Sequence, residues 1–231
     1  MNWPLTDAEL TAISLSLKVA TVAALGSLPL GVATGWLLAR RQFLGKSVLD
    51  ALIHLPLVLP PVVVGYGLLV LLGRRGPIGA WLEQWFDLRL AFNWKGAALA
   101  SAVMAFPLMV RAVRLSIEAI DPKLEAAART LGASPMRVFW TVTLPLAWPG
   151  AIAGAVLAFA KALGEFGATI TFVSSIPGET ETLSAAMHAL LQVPGGEAQV
   201  WRLGVLAVLI SLLAMLLSEW LVRRLNRGEA R

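Results

Sequence analysis

Several stretches of this chain are too long and too apolar to be the core of a water-soluble domain. A helix rising 1.5 Å per residue needs about twenty apolar residues to cross ~30 Å of hydrocarbon. Runs of that order occur at residues 12–38, 48–72, 94–110, 147–173 and 203–222. Lys18 interrupts the first run, but once its ammonium reaches the interface, Val19 to Leu38 is still a full span. The third is near the lower length limit, and the fifth is the cleanest, flanked by Trp201 and Arg202 and by Arg223 and Arg224. Composition agrees: 14% of residues are charged and 58% are hydrophobic, whereas an ordinary soluble domain has about a quarter charged. The chain therefore reads as an all-α membrane protein with five transmembrane helices: an external segment over 1–10, a transmembrane domain over 11–222 and a tail over 223–231.

Charge then sets an orientation. With five spans the termini lie on opposite sides, and the loops after the first and third spans together with the tail hold twelve Lys and Arg, from Arg40 to Arg231. The other side holds five: Arg74, Arg75, Arg89, Lys95 and Arg202. The basic side belongs in the cytoplasm, so the N-terminus is expected outside and the tail inside. The net charge of +5 thus records membrane topology rather than nucleic-acid binding. The first run is not expected to be a signal peptide, because Asp7 and Glu9 precede it and further spans follow.

Outside the spans, Ile78, Trp81, Leu82, Trp85 and Phe86 recur at helical spacing and predict a short interfacial helix. Residues 174–200 contain Pro177-Gly178 and Pro194-Gly195-Gly196 and read as a turn-rich, irregular loop. Ala97, Ser101 and Ala105 make a small-residue face on the third span, where a neighbouring helix should approach closely. There is no Cys, His54 and His188 lie far apart in sequence, and no GxxxxGK[ST] occurs. No metal site, cofactor, catalytic centre or ATP hydrolysis by the chain itself is expected.

The basic loop over 116–146 looks folded. Asp121 followed by Pro122 is a helix start, Leu124 to Leu131 is rich in helix formers, and Gly132 suits a left-handed stop. Ser134-Pro135 repeats the start signal, and Pro145 is expected to end the second of two short helices. A DNA-reading helix-turn-helix has a similar outline, but Met136 to Val142 supplies Met, Val, Phe and Trp instead of base-reading polar groups.

This segment resembles the cytoplasmic motif of the permease subunits of binding-protein-dependent ABC importers: EAA, three residues, Gly, nine residues, Ile, one residue, Leu-Pro. Here Gly132 is followed after nine residues by Val142, Thr143, Leu144 and Pro145, with Val in place of Ile. Ala126, Ala127 and Ala128 stand at the EAA positions, so Glu125 comes one residue early, about 100° around the helix. Leu52 to Leu69, Phe106 to Leu115, Leu163 to Thr180 and Val193 to Glu197 are similar to the molybdate permeases within that family. The resemblance implies a type I importer fold in a bacterial inner membrane and a homodimer with two ATP-binding subunits. It also implies an external binding protein delivering molybdate or tungstate, with sulfate and thiosulfate carriers as relatives. The hairpin would be the coupling element that docks on the ATPase.

Candidate pathway residues come from the spans. Pro56, Pro60 and Pro61 remove backbone donors, which is tolerated at membrane depth only where protein or water satisfies the freed carbonyls. The segment either lines a pathway or is a packed kink, and the kink is favoured. Lys161 and Glu165 are four apart on the fourth span and deep by position, so they read as a structural ion pair first and as an anion-attracting site second. The hydroxyls of Thr169, Thr171, Ser174 and Ser175 suit an oxyanion or, more commonly, interhelical bonding.

Overall fold

A computed structural model describes residues 5–229; Met1 to Pro4, of the segment expected to be external, and Ala230 and Arg231, of the expected tail, lie outside the described residues. Among the described residues every regular element is helical. The chain opens with α1 (Asp7–Arg40), whose first turn is closed by a reciprocal cap. The Thr6 side chain accepts from the Glu9 N–H at 3.3 Å, and the Glu9 carboxylate accepts from the Thr6 N–H at 2.7 Å.

α1 packs against α5 (Trp94–Glu118) and α8 (Leu144–Leu163) to make the central three-helix core. Small residues bring these helices together. Ala97, Ser101 and Ala105 are all buried, as the spacing predicts, and Ala105 meets Ala24 of α1 and Ala158 of α8. Gly35 of α1 lies so close to Val113 that an added Cβ would stand 2.8 Å from its Cγ1. Lys18 lies with its ammonium 3.7 Å from the Trp94 ring centroid, a cation–π contact that gives the charge a partner within the bundle. α5 also runs on to Glu118, 25 residues in all, so the third span is full length rather than short.

Two spans expected to be continuous are broken. The second is α2 (Lys46–Val58) and α3 (Pro61–Leu72), bent by 114° at Leu59-Pro60. Pro60 and Pro61 cannot donate to the preceding turn, so the ladder stops there and α3 restarts with Pro61 at its first position. At one end, Asp50 of α2 reaches Arg114 near the C-terminal end of α5. At the other, Leu68, Leu69 and Leu72 of α3 pack with Ala97 and Ala98 near the start of α5. The bent pair therefore traverses the bundle. With four further helices long and apolar enough to cross a membrane, it brings the span count to five.

The fourth span starts earlier than expected and breaks before its end. A continuous helical path runs from α7 (Pro135–Val138) through a π turn (Phe139–Thr143) into α8, so Pro145 does not end the element. In the π turn the Leu144 N–H reaches back five residues to the Phe139 carbonyl. This shifts the hydrogen-bond ladder just before Pro145, and the missing proline donor falls at the shift. α8 stops at Leu163, and α9 (Gly167–Val173) resumes after the Gly164–Phe166 break.

The short helix expected over 78–86 is α4 (Pro77–Phe86), with Ile78, Trp81, Trp85 and Phe86 exposed for an interface. The 174–200 segment is not wholly irregular: α10 (Leu183–Leu191) lies between its two Pro-Gly turns. Its first N–H is held by the buried Ser16 hydroxyl of α1 at 2.6 Å, a contact 167 positions away in sequence that no local pattern announces. α11 (Glu197–Glu229) joins the start of α1 through an Arg202–Glu9 ion pair.

Candidate functional site

The basic loop forms the hairpin its turn chemistry predicts. α6 (Pro122–Thr130) is capped by the Asp121 carboxylate, which accepts from the Lys123 N–H at 2.9 Å. Gly132 has φ +84° and turns the chain, and the Ser134 hydroxyl caps α7 by accepting from the Arg137 N–H at 3.3 Å. Ala126 and Ala127 are exposed and Ala128 is half-buried, so the alanine surface is available for close approach. Leu124 at the start of the hairpin and Leu131 at its tip are also exposed, Leu131 at 89%. Beyond the turn, Leu144 is half-buried and Pro145 exposed.

Glu125 has turned inward, as a one-residue step on a helix requires. It is only 6% exposed, and its Oε1 accepts from Arg40 Nε at 3.0 Å and from Thr143 Oγ1 at 2.8 Å. Arg40 also donates to the Ile120 carbonyl at 3.2 Å. Burying a carboxylate is costly unless it is paired and hydrogen-bonded, and both conditions are met here. One side chain thereby joins three parts of the protein: the last turn of α1, the hairpin and the π turn that leads into α8. Sequence reasoning found Glu125 but missed Arg40 and Thr143. Arg40 was legible only as a topology-setting cation, and Thr143 only as the variable residue between Val142 and Leu144.

A second cluster lies halfway along the bundle, where the two helix breaks meet. Gly167 at the start of α9 approaches Pro61 so closely that an added Cβ would stand 2.7 Å from the proline Cβ. Beside this contact the Lys161 ammonium donates to Glu165 Oε2 at 2.6 Å, and Glu165 Oε1 accepts from the Ala168 N–H at 3.0 Å. Glu165 is 2% exposed. Ala162 and Leu163, next to Lys161, pack with Ala20 and Ala23 in the middle of α1, which puts the pair deep in the bundle. The carboxylate thus serves both the ammonium and the first turn of α9.

The structure brings Pro61, Lys161, Glu165 and Thr169 into one neighbourhood and places Pro56 apart, on an apolar cavity of about 610 Å³ between α1, α2 and α5. Thr169 is buried, and its hydroxyl donates to the Phe166 carbonyl at 2.9 Å. Thr171 likewise donates to the Gly167 carbonyl at 2.8 Å. Both hydroxyls are committed to their own helix.

Residues 28–228, which include the hairpin and both breaks, match the family described as the binding-protein-dependent transport system inner membrane component. The chain belongs to this family. As a family member it is 60% identical over 219 residues to the molybdenum transport system permease protein ModB of Escherichia coli (strain K12), covering 95% of this chain and 96% of that protein. It is equally identical, over the same shares, to ModB of Haemophilus influenzae. In fold it matches a chain of the inward-facing MetNI methionine ABC transporter with a TM-score of 0.76 at 18% identity, covering 97% of this chain and 99% of that one. The family member is a type I importer permease in fold, and its relatives are transport permease subunits.

Proposed function

We propose that the chain is the translocation subunit of an ATP-driven molybdate importer, acting as a homodimer in a bacterial inner membrane. It works with two ATP-binding subunits and an external molybdate-binding protein, and its partners hydrolyse the nucleotide. The observation that carries this reading is the buried Arg40–Glu125–Thr143 junction. A hairpin tied at one point to α1 and to the entry of α8 cannot be displaced without moving both, which is what coupling to a closing ATPase dimer requires. The 60% identity to proteins named for molybdenum transport supports the choice of cargo. The N-terminus lies outside and the tail in the cytoplasm, following the basic residues.

In operation, ATP closes the partner dimer, the hairpin follows, and the paired permeases open outward to take the anion; hydrolysis returns them to the inward-facing state. The Pro60–Pro61 elbow and the Glu165 break flank the pathway as the places where the spans are interrupted. Pro56 and Thr169 support these elements, and Lys161, paired with Glu165, is a candidate cation on the pathway. The test is uptake of labelled molybdate into proteoliposomes holding the permease, its ATPase and the binding protein, with unlabelled molybdate, tungstate and sulfate as competitors. ATP-dependent uptake blocked by molybdate and tungstate is expected. Uptake without nucleotide, or stronger competition by sulfate, overturns the assignment.

The Lys161–Glu165 pair gives a separate expectation. Lys161→Ala leaves a buried carboxylate with only the Ala168 N–H, and breaking such a pair costs about 3 kcal/mol. The purified variant should melt several degrees lower. Lys161→Met/Glu165→Gln should recover part of that loss, because no charge is then stranded. A wild-type melting temperature for Lys161→Ala would show the pair to be unimportant for stability.

A further inference from the structure

Between the end of α1 and the hairpin lies a cavity of about 580 Å³ whose walls carry an unbalanced charge. Arg40, Arg41 and Arg129 line it, with Glu125 as its single carboxylate. Arg40 occupies Glu125, together with the Thr143 hydroxyl. That leaves the Arg41 and Arg129 guanidinium groups without a carboxylate partner among the described residues. Arg41 is held over the Trp36 ring, 5.5 Å from its centroid, and Trp36 in turn meets Phe139 edge-on at 5.5 Å. A stacked guanidinium of this kind keeps its donors pointing outward and loses little entropy on pairing. The exposed Ala126 lines the same cavity, on the helix that also carries the exposed Leu124 and Ala127. Arg and aromatic groups next to an apolar projection are the composition of an interface centre, not of a solvated face.

We infer that this cavity is a socket for a carboxylate side chain, Asp or Glu, of the ATP-binding subunit, gripped between Arg41 and Arg129 when the hairpin docks. The inference rests on the proposed function and adds to it the chemistry of the contact. The site holds a surplus of positive charge, lies where the ends of α1 and of the fourth span meet the hairpin, and is walled on one side by α6, the helix that carries the docking alanines. At the position where the family motif has its glutamate this chain has Ala126, which also lines the cavity. The chain therefore offers its partner no carboxylate here and asks for one instead. The grip would make docking sensitive to salt and would orient the hairpin as well as hold it.

The test uses the full-length permease in detergent with its ATPase subunit and measures association and ATPase stimulation at several salt concentrations. Arg41→Gln and Arg129→Gln should each weaken association about tenfold or more and flatten its salt dependence. Arg137→Gln, an equal charge change on the same hairpin but outside the cavity, should leave both unchanged. Reversing a partner carboxylate to Lys should be rescued by Arg129→Glu. If the wild type binds its ATPase and the Arg41 and Arg129 variants bind equally well, the socket is wrong while the importer reading stands. Equal weakening by Arg137→Gln also overturns the socket, in favour of diffuse attraction. Binding of molybdate alone, lost on Arg41→Gln, would make the cavity a free-anion site instead. A wild type that associates with no ATPase subunit overturns both proposals.

Discussion

Under the proposed function, Glu125→Ala is expected to cut ATP-driven uptake at least tenfold while the permease still inserts into the membrane. The substitution removes one exposed-helix side chain by sequence, but by structure it opens the only junction among the described residues where α1, α6 and the π turn share a side chain. Arg40 keeps its bond to the Ile120 carbonyl and loses its counter-charge, and the Thr143 hydroxyl loses its acceptor. Breaking a buried ion pair costs about 3–5 kcal/mol, and the low end applies because the Arg40 side chain is 16% exposed. Even about 1.4 kcal/mol corresponds to a tenfold change in the population of the correctly seated hairpin. Uptake should fall at least tenfold, and ATP hydrolysis by the partner should continue without matching transport. Glu125→Gln, which keeps the shape and the Thr143 bond, should be milder. Arg40→Met/Glu125→Leu should recover activity relative to Glu125→Ala, because it buries no unpaired charge. Wild-type uptake by Glu125→Ala would remove the junction from the coupling path.

What could be read in advance divides by range. The hairpin was legible because its signals are local: Asp121 with Pro122, Gly132 and Ser134 with Pro135 each act within one turn, and each acts as its chemistry predicts. The small-residue face of α5 was legible because helical periodicity brings Ala97, Ser101 and Ala105 together whatever packs on them. Contacts between distant segments were not. Glu125 finds Arg40 across 85 positions, and Leu183 finds Ser16 across 167; nothing near either residue names its partner. The π turn was hidden for a different reason: Pro145 is a stop signal in an α-helix, but a single wide turn ahead of it relieves the clash that makes it one. Hydropathy likewise counts apolar residues without regard to direction, so it fuses α2 with α3 and α8 with α9. The first of the breaks it overlooks bends its span by 114°.

Those breaks supply the other large expected effect. Gly65→Val should prevent α3 from seating on α9 and yield a permease that is inserted but unstable and inactive. A Cβ at Gly65 would stand 2.6 Å from the Ala168 carbonyl oxygen and 2.9 Å from its Cα. These are backbone atoms, so no rotamer change relieves the clash, and the two helices must separate. Separation also disturbs the Ala168 N–H that caps onto Glu165, and with it the Lys161 pair. Overpacking alone costs about 1–3 kcal/mol, and loss of the buried polar contacts adds to it, so the melting temperature should drop by more than for Lys161→Ala. Gly67, with nothing within 4 Å of an added Cβ, is the control: Gly67→Ala is sterically free and should be nearly neutral. A Gly65→Val permease as stable and active as Gly67→Ala would mean that α3 and α9 do not meet in the working transporter. The elbow at Pro60–Pro61 would then have to be held by something other than the break in the fourth span.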